Sequence, residues 1–132
     1  MSAVDDASMR RRAGAAAIAV AMVLTLGAPS AFAVKRAGSC SLGEASYTLT
    51  VVRYNATRLR VRFVISNSTL GQTWQLFGSD NGSRIFAVAR VVVLGGTAKV
   101  TKLIPDLAGT DAVKGTASNI LTGETCQGSV SF

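Results

Sequence analysis

From Ala45 onward, apolar residues recur at every second position in short runs broken by turn residues, and no helical spacing of three or four is sustained. A chain patterned in this way buries one face of each run and leaves the other in water, which predicts an all-β domain. Seven strands are expected. They are Ala45 to Tyr54, Arg58 to Ser66, Gln72 to Gly78, Arg84 to Leu94, Thr97 to Ile104, Asp111 to Asn119 and Thr125 to Phe132. Between the third and fourth lies Ser79-Asp80-Asn81-Gly82, and the Asn-Gly pair is the strongest tight-hairpin signal in the chain. The fourth run is apolar on both faces, as in a centrally paired or doubly covered strand. Seven short antiparallel strands in about 100 residues fit a single two-sheet sandwich better than a barrel.

The first 33 residues have a different character. Arg10, Arg11 and Arg12 precede the apolar run Ala13 to Leu26, followed by Gly27, Pro29 and the small-residue motif Ala31-Phe32-Ala33. This reads as a helical secretory signal peptide, residues 1–33, cleaved after Ala33, with translation starting at Met1 or Met9. The apolar run is shorter than the roughly 20 residues of a spanning helix, so the membrane is met only through this leader. Residues 34–132 then form one secreted domain, extracellular or attached to the cell wall. Export puts Cys40 and Cys126, the two cysteines of the chain, in an oxidising compartment, where one structural disulfide is the natural pairing.

Residues 34–132 carry eleven Lys and Arg against five Asp and Glu. This favours anionic partners such as a cell-wall polymer or an acidic secreted protein. Arg58, Arg60 and Arg62 alternate with Leu59, Val61 and Phe63, so one strand presents three arginines on one face while the other enters the core. They are the candidate anion-binding face, although the solvated side of a strand, where the arginines would also discourage edge pairing, would have the same composition. Nucleic acid is disfavoured: stacking sites need exposed aromatics, and Trp74, Tyr47, Tyr54 and the phenylalanines mostly sit at core positions.

The chain has no histidine, which removes Ser-His-Asp and Cys-His catalysis and histidine-ligated metals. Glu44, Asp80, Asp106, Asp111 and Glu124 fall at turns or strand starts, and no nucleophile and base can be paired by type, so no enzyme and no cofactor are expected. Asp80, Asn81, Asp106 and Asp111 offer oxygens for calcium, but turns use these residue types anyway, and no metal site is expected. Asn55-Ala56-Thr57, Asn67-Ser68-Thr69 and Asn81-Gly82-Ser83 are glycosylation-like triplets whose composition is that of turns.

The segment Leu103 to Asn119, LIPDLAGTDAVKGTASN, resembles the corner and penultimate strand of immunoglobulin-like and fibronectin type III sandwiches, with Asp111 where many place a corner tyrosine. Trp74 matches their core tryptophan. Cys40, Gly71-Gln72-Thr73-Trp74, Asn81-Gly82, Ala108-Gly109-Thr110-Asp111 and Thr122-Gly123-Glu124-Thr125-Cys126 together resemble a group of small secreted actinobacterial proteins of unknown function. The resemblances imply an immunoglobulin-like, fibronectin type III-like antiparallel sandwich and carry no activity. The expected role is a secreted, non-catalytic binding module. Its alternatives are an inhibitor of an extracellular hydrolase, inserting Asn67 to Gly71 or Ser79 to Ser83, and a small-ligand carrier with an apolar cleft near Trp74.

Overall fold

The computed structural model describes residues 32–132; the expected leader lies outside the described residues apart from Phe32 and Ala33. Eight strands follow in order: β1 Ala33–Ser39, β2 Ser46–Arg53, β3 Arg58–Ser66, β4 Thr73–Asp80, β5 Ser83–Val91, β6 Ala98–Pro105, β7 Ala112–Asn119 and β8 Thr125–Ser131. All seven expected strands are present, each within a few residues of its expected bounds. The eighth, β1, begins where the leader was expected to end, and its Lys35, Arg36 and Gly38 interrupt the apolar alternation that marks the others.

Two four-stranded antiparallel sheets form, ordered β1-β2-β3-β6 and β5-β4-β7-β8. The chain crosses between sheets after β3, β5 and β6, which gives the immunoglobulin-like, fibronectin type III-like sandwich with an added N-terminal edge strand. Alternation decides which side chains meet. Leu49, Val51, Leu59, Val61, Phe63 and Ile65 of the first sheet, and Trp74, Leu76 and Val113 of the second, are wholly buried between the layers. The Cys40–Cys126 disulfide, with Cα atoms 4.4 Å apart, ties the end of β1 to the start of β8.

Glycine has a packing role at two strand positions. A Cβ on Gly128 would collide with the Tyr47 ring, and one on Gly78 would collide with Phe86. Both aromatic rings therefore lie flat over backbone that only glycine leaves open. The Asn81-Gly82 hairpin forms as expected, with φ of 51° and 87°, and Asp80 pairs with Ser83 across it.

Two expectations about strand position are corrected. The apolar run Arg84 to Leu94 is not a central or doubly covered strand: β5 ends at Val91, pairs only with β4 and is an edge. Its inner face supplies Phe86 and Val88 to the core, while Ala87, Ala89 and Val91 are exposed. Conversely, Arg58 to Ser66 does not protect an edge, because β3 is paired on both sides by β2 and β6. Edge protection falls to Arg36, Arg90 and Lys102. These pair with Leu49, Trp74 and Val61, so they have core-facing parity on the edge strands β1, β5 and β6, yet they are exposed at the rim. A charge aimed inward on an edge strand penalises addition of a further strand.

Candidate functional site

The first sheet is built from strands that contain no acidic residue. Lys35, Arg36, Arg53, Arg58, Arg60, Arg62, Lys99 and Lys102 all lie on it, eight of the eleven basic residues of the domain. Strand register sorts them by face. Lys35, Thr50, Arg62 and Thr101 form one row across the outer surface, Ala33, Val52, Arg60 and Leu103 the next, and Ala37, Thr48, Val64 and Lys99 a third. Arg58, opposite Pro105, extends the line toward the end of the sheet.

Arg58, Arg60 and Arg62 are all exposed and alternate with the fully buried Leu59, Val61 and Phe63. Their Cα atoms stand about 7 Å apart along the strand. Among the described residues, none of the three has an ion pair; the pair present is Arg53 with Asp106, at 2.6 Å. Their cross-strand neighbours are Thr50 and Thr101, Val52 and Leu103, and Pro105, none of them an acid that would compete for the guanidinium groups. Tyr54 departs from its expected core position: it is 53% exposed and its N–H donates to Arg58 O at 2.9 Å, so one exposed aromatic borders the end of the arginine row while none shares the three rows.

The five acids are elsewhere and differently employed. Glu124 is buried, and its Oε2 accepts the backbone N–H groups of Glu44 at 3.3 Å and Ala45 at 3.2 Å. Asp106 is held below the usual carboxylate range, first by its hydrogen bond from Arg53 and then by Asp111. Asp80 and Asp111 are buried together, and neither Asp80 Oδ1 nor either oxygen of Asp111 receives a hydrogen bond from another group. Burial, reinforced by Asp80 and Asp106, pushes the Asp111 carboxyl up to about 6.

The residues weighed for calcium are thus brought to one end of the sandwich but are otherwise engaged. Asn81 Oδ1 accepts the Ala112 N–H at 2.9 Å, and Asp106 is bound by Arg53. Among the described residues, no group of three or more acidic or sulfur ligands is arranged to hold a metal ion. The proximity of Asp80 to Asp111 has no local signal in the sequence, since β4 and β7 become neighbours only when the second sheet assembles.

Of the two loops considered for an inhibitor, Ser79 to Ser83 leaves only Asn81 and Gly82 outside the ladder. Asn67 to Gly71 is longer and is braced from beneath. Trp74 Nε1 donates to Ser68 Oγ at 2.8 Å, and Asn119 Nδ2 donates to Gln72 Oε1 at 2.8 Å. Trp74 itself is wholly buried and does not line the open cleft of about 540 Å³ formed by Thr69 to Thr73, Ile120 and Leu121.

No family model matches the chain, and no curated protein matches it. Among solved structures, β-glucosidase 3B from Thermotoga neapolitana, determined in complex with glycerol, is similar at 12% identity over 76% of this chain, with a TM-score of 0.33. The chain spans only 16% of that enzyme's length, and at this level the likeness carries no argument.

Proposed function

We propose that the domain is an exported, non-catalytic sandwich that binds a linear extracellular polyanion, such as a phosphate-bearing cell-wall polymer, across the outer face of its first sheet. One observation carries this reading: eight basic residues and no acidic one occupy a single sheet, with Arg58, Arg60 and Arg62 in line on its outer face. Arginine suits the task because its planar fork donates paired hydrogen bonds to phosphate or carboxylate oxygens. A fixed row on a doubly paired strand presents these forks without the cost of ordering a loop. An acidic secreted protein is the second class of partner that this charge would attract.

The disulfide is consistent with an oxidising, extracellular location. The absence of histidine and the engagement of Asp106 and Glu124 in structural contacts support a role without catalysis. Retention of the oxidised protein on immobilised polyphosphate tests the proposal. Elution by salt is expected, together with loss of retention when Arg58, Arg60 and Arg62 are replaced by Ser.

A further inference from the structure

Four loops meet at the end of the sandwich opposite the Asp80–Asp111 pair: 40–45, 67–72, 92–97 and 120–124. Backbone hydrogen bonds join the second loop to the third, from Gly71 N to Val92 O at 3.0 Å and Ser68 N to Gly96 O at 3.1 Å, and tie the fourth and first loops to the adjoining strand ends, from Ile120 N to Thr73 O of β4 at 3.0 Å and Ser41 N to Thr125 O of β8 at 2.7 Å. Every one of these loops exposes a large aliphatic side chain. They are Leu42, Leu70, Val93 with Leu94, and Ile120 with Leu121, the most exposed being Leu94 at 86% and Leu121 at 75%.

The local chemistry repeats from loop to loop. Leu42-Gly43, Leu70-Gly71 and Leu94-Gly95 each place a leucine directly before a glycine of positive φ, and Leu121 precedes Gly123 by two residues. A Cβ on any of these four glycines would meet nothing within 4 Å, so glycine is needed there for the reversal of the chain and not for space. The turn reverses the backbone and leaves the leucine at the apex. The Cys40–Cys126 disulfide and the Glu124 carboxylate fix the first loop to the fourth, and the Trp74, Ser68, Gln72 and Asn119 side chains brace the second. The tips are therefore held outward.

We propose that this end docks on an anionic lipid bilayer, inserting the leucine tips among the acyl chains. Protein interfaces concentrate Trp, Tyr and Arg at their energetic centres and under-use Leu and Val. Here the tips are purely aliphatic, and the exposed aromatics Phe32 and Tyr54 lie at the opposite end. Separate aliphatic tips on four loops demand no complementary pockets, which a fluid acyl phase does not offer. The flanking charge fits anionic headgroups: Arg90 and Lys99 are exposed beside the loops, and of the two acids at this end Glu124 is buried against backbone amides, leaving Glu44. The surface is distinct from the arginine row of β3.

The test uses the full, oxidised chain carrying Leu121→Trp, or Leu107→Trp at the opposite end, with phosphatidylcholine vesicles containing phosphatidylglycerol and brominated acyl chains. Both variants share the same N-terminal segment and the same buried Trp74, so the difference between them reports the loop end alone. Quenching and a blue shift at position 121 but not 107 are expected, with vesicle affinity falling about tenfold for each of Leu42, Leu70 and Leu94 replaced by Asn. Leu94→Trp repeats the measurement at a second exposed tip. No quenching at 121 or 94, or equal quenching at 121 and 107, would overturn the proposal. A protein complex that the Asn variants abolish, without quenching by lipid, would overturn it too and assign the end to a protein partner.

Discussion

Asp111, fully buried just before β7, faces Asp80 at the end of β4, and neither Asp80 Oδ1 nor either Asp111 oxygen has a donor to meet. A proton on Asp111 supplies that donor. Its carboxyl titrates near 6 in the folded protein against an ordinary 3.8, so between these values the native state binds more protons than the unfolded chain. Stability from this group is therefore greatest below pH 4 and is lost as pH rises through about 6. The urea midpoint is expected to fall from about pH 4 to about pH 6, the window these two values bracket, and to level off above it. Asp111→Asn, which carries its own N–H donor, should flatten that slope and raise the midpoint at pH 7. An unchanged slope in this variant would contradict the pairing. The Arg53–Asp106 pair has the opposite sign and weakens only below the ordinary carboxylate range, so the two effects separate by pH.

Glu124 links the first and fourth loops through two backbone N–H groups. Glu124→Ala removes both acceptors from a buried position and is expected to cost about 2 kcal/mol in chemical denaturation. Glu124→Gln keeps an acceptor oxygen and should lose clearly less. Equal losses for the two variants would show that charge, and not acceptance of these bonds, is what the site requires.

The Gly128–Tyr47 contact sets a packing limit on β8. Gly128→Ala drives a methyl group into the Tyr47 ring and is expected to destabilise by about 2 kcal/mol, read as a lower denaturation midpoint. In the background of Tyr47→Val the same change should cost much less, giving a coupling free energy in a double-mutant cycle. Additive effects would contradict the account of this glycine.

Much of the fold was legible because alternation is a local property. Leu59, Val61, Phe63 and Ile65 declare the inner face of β3 without reference to any other strand, and Asn81-Gly82 declares its hairpin. What was not legible depends on sheet order. The apolar run from Arg84 gave no hint that β5 is an edge, since Ala87 and Ala89 are apolar whether covered or bare. β1 was hidden because Lys35 and Arg36 are adjacent charges in a strand that needs only Val34 and Gly38 on its inner side. The arginine row was visible as a pattern, whereas its setting, an acid-free sheet continued by Lys35 and Lys99, required the registers of β1 and β6. The repeated Leu-Gly pairs were present in the sequence, but their convergence at one end became apparent only from the fold.

The central claim is that the outer face of the first sheet binds a linear polyanion through Arg58, Arg60 and Arg62. Its most direct test is the affinity of the oxidised protein for soluble polyphosphate over a series of salt concentrations, with the three arginines intact and replaced by Ser. Counterion release predicts that log affinity falls linearly with log salt, and that replacing three contacting arginines makes the slope shallower by about 2 to 3. Binding that is independent of salt, or a slope and affinity unchanged by the triple replacement, would contradict the account.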